Sequence, residues 1–113
     1  TEAKNLEFPF AEFGMIGLET AFALCRTFLE KNLSLQQLVQ LLAIGPRNVL
    51  GLPVPEIKPG APAELTLFAP DMAWTFTEKD IRSKSANTPF IGQKFTGKVL
   101  GIINQGMVQL AST

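Results

Sequence analysis

Glu12-Phe13-Gly14-Met15-Ile16-Gly17-Leu18-Glu19-Thr20 sets two glycines in a loop that turns at once into a strongly apolar helical pattern. Such a loop reads as the rim of an active site. The chain contains no histidine, so a site built here would lack imidazole metal ligands and imidazole acid–base groups. A glycine-marked rim without reacting groups is what a fragment of an enzyme would carry.

Outward from this loop, residues 16–32 read as a helix. Leu18, Phe22, Cys25 and Leu29 form one apolar face, which Ala21, Leu24 and Phe28 widen. Only a narrow polar stripe is left, through Glu19, Arg26 and Glu30, so this helix calls for apolar partners on more than one side. Ser34 then opens a second helix, with Gln37 placed to complete a capping box. Leu35, Leu38, Val39 and Leu42 fall on its buried face, opposite Gln36, Gln37 and Gln40. Gly45-Pro46 is expected to end it, Pro46 to open a short third helix over 47–50, and Gly51 to close that.

The character changes after Leu52. Pro53, Pro55, Pro59, Gly60 and Pro62 forbid helix and predict an extended linker. Residues 63–68 alternate as a strand with Leu65 and Phe68 inward, 74–77 give a second short strand, 78–82 one helical turn, and 83–93 a polar loop. The end is a hairpin, 95–103 and 107–110, turning through Asn104-Gln105-Gly106, where glycine admits positive φ. The order is helices first, strands after: an α+β chain. A sheet of three or four short strands with open edges invites pairing from elsewhere.

Ten basic and ten acidic side chains balance across 113 residues. The basic ones are scattered rather than gathered in a stripe, which argues against a nucleic-acid partner. The single cysteine, Cys25, excludes a disulfide framework and a Cys-x-x-Cys motif, and points to a reducing cytoplasm. No apolar run approaches the roughly twenty residues of a bilayer span, and no basic signal-peptide start is visible. A soluble protein without a membrane partner is expected.

Four stretches, in order, resemble bacterial dihydroorotases of the amidohydrolase superfamily. Phe13-Gly14-Met15-Ile16-Gly17-Leu18-Glu19-Thr20 is similar to the family's Phe-Gly-hydrophobic-hydrophobic-Gly-Leu-Glu-Thr segment. Gln37-Leu38-Val39 with Gly45-Pro46-Arg47-Asn48-Val49-Leu50-Gly51-Leu52 looks like its last barrel helices. Residues 58–68 resemble a Gly-x-x-Ala-Asp-Leu strand that many amidohydrolases share. Ser83-Lys84-Ser85-Ala86-Asn87-Thr88-Pro89-Phe90-Ile91-Gly92 matches Ser-Lys-x-x-Asn-Thr-Pro-Phe-x-Gly, the most specific of the four.

The resemblance implies a C-terminal fragment: residues 1–52 as the last helices and loop of a (β/α)8 barrel, and 53–113 as the C-terminal strands of an accessory β-sandwich built from both ends of the polypeptide. It implies a parent enzyme that interconverts N-carbamoyl-aspartate and dihydroorotate in pyrimidine biosynthesis, using zinc. The family's metal ligands and catalytic aspartate would precede Thr1, so no catalytic or metal-binding residue is expected here and the fragment alone would be inactive. Phe13 and Gly14 carry over as the substrate-binding pair, their backbone lining the pocket for the pyrimidine ring. Glu19 is expected to be solvated or structural rather than a general base, Cys25 plain core, and Asn87-Thr88-Pro89 a rigid packing loop. The implied partners are a small-molecule substrate, the remainder of the parent chain, and a homodimer or an aspartate transcarbamoylase complex. One departure stands out: the family usually places Ala-Pro before Phe-Gly, whereas this chain has Ala11-Glu12, a carboxylate near an anionic substrate. Two other readings are a catalytically inactive homologue serving as a scaffold, and a free-standing α+β binding module.

Overall fold

The computed structural model describes Glu7 and residues 14–111. Three α-helical segments come first: α1 (Ala21–Leu29), α2 (Leu35–Val39) and α3 (Gly45–Leu50). Three antiparallel strands follow in the order β1-β2-β3: β1 (Leu65–Thr75), β2 (Lys94–Asn104) and β3 (Met107–Leu110). The α+β expectation holds, and residues 52–64 form a connection without regular structure.

Helix α1 is shorter than the 16–32 expected and buries a different face. Ala23 is its buried residue, whereas Leu18 is 89% exposed and Phe28 61%. A helix apolar nearly all round can rotate without penalty until something specific stops it. Here the stop is β2. Ala23 meets Phe76 and Phe95, with Leu24, Trp74, Ile81 and Phe90 packed around them. Next to this core Gly97, at φ 93°, leaves room that α1 occupies: a Cβ there would lie 2.8 Å from Arg26 Cγ and 3.2 Å from Phe22 Cε1. Of the expected polar stripe, Glu30 is exposed, whereas Arg26 is drawn onto the sheet. Arg26 donates through Nε to the Pro70 carbonyl at 3.0 Å and pairs with Asp71 at 2.8 Å. The Thr27 hydroxyl donates to the Thr96 carbonyl (3.2 Å) and accepts from the Thr96 N–H (2.9 Å), so a helix side chain satisfies backbone groups of β2 that β3 does not reach.

The Ser34 cap forms as expected. Ser34 Oγ accepts from the Gln37 N–H (3.2 Å) and Gln37 Oε1 from the Ser34 N–H (2.9 Å), and Leu38 is buried beneath. Gly45-Pro46 does not end the helix. Residues Gln40–Ile44 form a π turn in which the Gly45 N–H donates to the Gln40 carbonyl, and the chain continues as α3 until Gly51 closes it at φ 69°. Widening the turn by one residue accommodates a proline that has no N–H and whose ring would strike the carbonyl four residues back. Gly45 is needed there because a Cβ would stand 2.9 Å from the Gln40 oxygen.

The two separate strands expected over 63–68 and 74–77 are one strand. β1 pairs with β2 from Leu65↔Ile103 to Thr75↔Lys94, with the register broken between Ala69 and Ala73. Pro70, Asp71 and Met72 bulge out opposite Gly97, which removes proline from the ladder. Arg26 holds this bulge from above, and Trp74 Nε1 donates to the Gly97 carbonyl at 2.8 Å on its far side. Phe76 extends the pairing, receiving from Gly92 and donating to Gln93. A 3-10 turn, Glu78–Asp80, starts at Thr77, whose N–H and hydroxyl both donate to Asp80 Oδ2. β2 and β3 join through Gln105 (φ 50°) and Gly106 (φ 76°), the two left-handed positions of a tight hairpin turn.

Candidate functional site: a loop held by a second loop

The loop singled out first, residues 14–20, is clasped by the polar loop 82–88, and the two stretches meet across the fold at both ends. Gly14 adopts φ 75°, a left-handed conformation open to glycine and strained for other residues. Its carbonyl accepts a hydrogen bond from Asn87 Nδ2 at 3.0 Å, and the Ile16 N–H donates to the Asn87 carbonyl at 2.9 Å. One asparagine thus holds the start of the loop through both its side chain and its backbone.

The other end is held by Glu19. Its Oε1 accepts from the Ser83 hydroxyl at 2.6 Å, the Ser83 N–H at 2.7 Å and the Arg82 N–H at 3.0 Å. The Ser83 hydroxyl bond, opposed by burial and aided by the backbone donors, holds the Glu19 carboxyl down from 4.5 to about 2. Oε2 is enclosed with no hydrogen-bond partner among the described residues. A carboxylate so held stays ionised and is a poor proton acceptor near neutrality, so Glu19 is structural, one branch of the expectation for it. Buried Thr20 completes the turn into α1, its Oγ1 donating to the Gly17 carbonyl at 3.4 Å.

The clasping loop is itself tied down by burial and hydrogen bonds. Thr88 is buried, the Phe90 N–H donates to Thr88 Oγ1, and the Thr88 N–H donates to the Ala86 carbonyl. The Phe90 ring then packs 6.2 Å from that of Phe95, tying the loop to the core under α1. Asn87-Thr88-Pro89 is therefore the packing loop expected, and Asn87 and Ser83 are the contacts that a reading of spacing missed. They lie 73 and 64 residues from their partners, and nothing in local sequence pairs them.

Of the expected substrate-contacting pair, Gly14 is exposed at the loop surface, with no atom within 4 Å of where a Cβ would be. Phe13 lies outside the described residues, as do Ala11 and Glu12. Cys25 is half-buried in α1 with a free thiol. No group of three His, Cys, Asp or Glu converges among the described residues, and the chain has no histidine. These residues do not fit a zinc centre. No helix among the described residues is long and apolar enough to cross a membrane.

No protein-family model matches the chain. Curated proteins do. A dihydroorotase of Syntrophus aciditrophicus is 37% identical over 106 residues, covering 93% of this chain and 25% of that protein. One of Chlorobaculum tepidum is 44% identical over 94 residues (81% of this chain, 21% of that protein), and one of Geotalea daltonii 39% identical over 108 residues (95% and 25%). Each of these matches takes in most of this chain and only a part of the relative. The chain belongs to the dihydroorotase family and spans about a quarter of the length of the curated relatives it matches.

Proposed function

We propose that the parent polypeptide is a zinc-dependent dihydroorotase that closes N-carbamoyl-aspartate to dihydroorotate and reopens it, and that this chain is its C-terminal share. The observation that carries the reading is identity of 37–39% across 93–95% of the chain to proteins named dihydroorotase. The clasp supports it, because the two stretches most like the family meet in one place although they lie far apart in sequence. In this reading residues 1–52 end the barrel and 53–113 belong to the accessory sandwich, with α1 packed on β2 along their seam. The parent works in the cytoplasm, as a homodimer or with aspartate transcarbamoylase.

Zinc, when bound by the remainder of the parent, supplies a Lewis acid and an activated water. The role of this chain is binding. Phe13 and Gly14 line the pocket, and the left-handed Gly14 presents backbone to the ring where a side chain would intrude. A second reading, a non-catalytic homologue acting as a scaffold, draws on Glu12 in place of the usual proline, which brings a negative charge toward an anionic substrate.

Both readings meet one experiment on the full-length parent loaded with zinc. Absorbance assays in both directions are expected to show turnover that a chelator abolishes and zinc restores. Gly14→Val is expected to raise KM about tenfold or more, through lost uniform binding. A folded, metal-loaded parent without turnover would refute the enzyme reading and leave the scaffold.

A further inference from the structure

We infer that Asn87 is a positioning residue for substrate recognition: it fixes the Gly14–Met15 peptide plane so that the Met15 N–H is presented to an oxygen acceptor, a carbonyl or carboxylate, of the bound substrate. This rests on the reading of the parent as a dihydroorotase and of the 14–20 loop as its pocket rim.

The argument starts from peptide geometry. No peptide bond among the described residues is cis, so the carbonyl of Gly14 and the N–H of Met15 point in opposite directions from one rigid plane. Asn87 Nδ2 takes the carbonyl at 3.0 Å, which directs the Met15 N–H away from the clasping loop. Met15 is itself 53% exposed. A plane joined to a glycine at φ 75° has a wider range of backbone orientations open to it than one joined to another residue, since glycine tolerates both signs of φ. The Asn87 carbonyl removes the second freedom by accepting from Ile16 N–H at 2.9 Å. Asn87 is itself anchored, because buried Thr88 and ring-packed Phe90 follow it. One residue therefore sets the orientation of the intervening donor without touching the ligand.

The full-length, zinc-loaded parent is compared with its Asn87→Ala, Asn87→Asp and Asn87→His variants. Histidine keeps an N–H donor at about the asparagine's reach, whereas ionised aspartate offers only acceptors to the Gly14 carbonyl. The Ala and Asp variants are expected to raise KM for dihydroorotate about tenfold with kcat within about threefold, the signature of lost uniform binding, and His to restore KM to within about threefold. Amide exchange at Met15 and Ile16 is expected to quicken about tenfold or more in the Ala variant while Phe95 and Thr96 in the core are unchanged. An active wild type whose Ala and Asp variants keep both KM and loop exchange overturns the positioning role and leaves the enzyme reading standing. Faster exchange with unaltered KM overturns it too, leaving Asn87 a purely structural clamp. A wild type without turnover overturns the enzyme reading, and the substrate role of Asn87 with it, whatever the exchange shows.

Discussion

Replacing Gly97 by alanine tests whether α1 is seated on β2 by close approach. The new Cβ would stand 2.8 Å from Arg26 Cγ and 3.2 Å from both Arg26 Cβ and Phe22 Cε1. Overfilling such a contact typically costs about 1–3 kcal/mol, and an L residue at φ 93° adds roughly 1–2 kcal/mol of backbone strain. The sum, about 3 kcal/mol, is a large fraction of a small unit's stability. Gly60 supplies the control, since at φ 83° it carries similar strain with nothing within 4 Å of its Cβ position. The assay is native-state amide exchange in the full-length parent at Thr96, whose N–H donates to the Thr27 hydroxyl and so reports directly on helix docking. Gly97→Ala is expected to lower protection there about a hundredfold, as about 3 kcal/mol requires, and Gly60→Ala to leave it unchanged. Equal protection in the two variants would refute the close-approach account.

Glu19→Gln removes the charge from the three-donor clasp, and at neutral pH the Ser83 and Arg82 amides should exchange several-fold faster, as loss of a charge-assisted hydrogen bond of about 1–2 kcal/mol would produce. Because the Glu19 pKa is depressed, its contribution is present in full above pH 4.5 and disappears as pH falls through about 2. A carboxyl titration followed by NMR that shows a midpoint near 4.5 would contradict this. Gly45→Ala forces a Cβ to 2.9 Å from the Gln40 oxygen; amides of residues 45–50 are expected to lose protection by about tenfold or more, and unchanged protection would mean the π turn adapts freely.

What could be read from the sequence was local. The Ser34–Gln37 cap, the Gly51 helix end and the Gln105-Gly106 turn each depend on residues within a few positions of one another, and all three stand where expected. The face of α1 was misread because periodicity cannot choose among directions when nearly every direction is apolar. Ala23, Arg26 and Thr27 choose it, and their partners lie 44 to 69 residues away or deep in the core. Pro70 made one strand look like two, since nothing local announces that Arg26 will take up its freed carbonyl. Gly45-Pro46 looked like a stop for the same reason that it became a π turn. The glycine turn at Gly14 was legible from the sequence, but its clasp was not, because Asn87 and Ser83 meet the loop only through the tertiary fold.

The distance between the loop and its clasp has a consequence for biosynthesis. Asn87 follows Gly14 by 73 residues, and at about 5–20 residues per second the ribosome delivers it roughly 4–15 s later. Throughout that interval Gly14 and Glu19 are present without the Asn87 and Ser83 partners that hold them. The clasped form of the loop is thus among the last features of this region to mature. A chain halted before residue 82 would carry every residue of the loop and none of the contacts that clasp it.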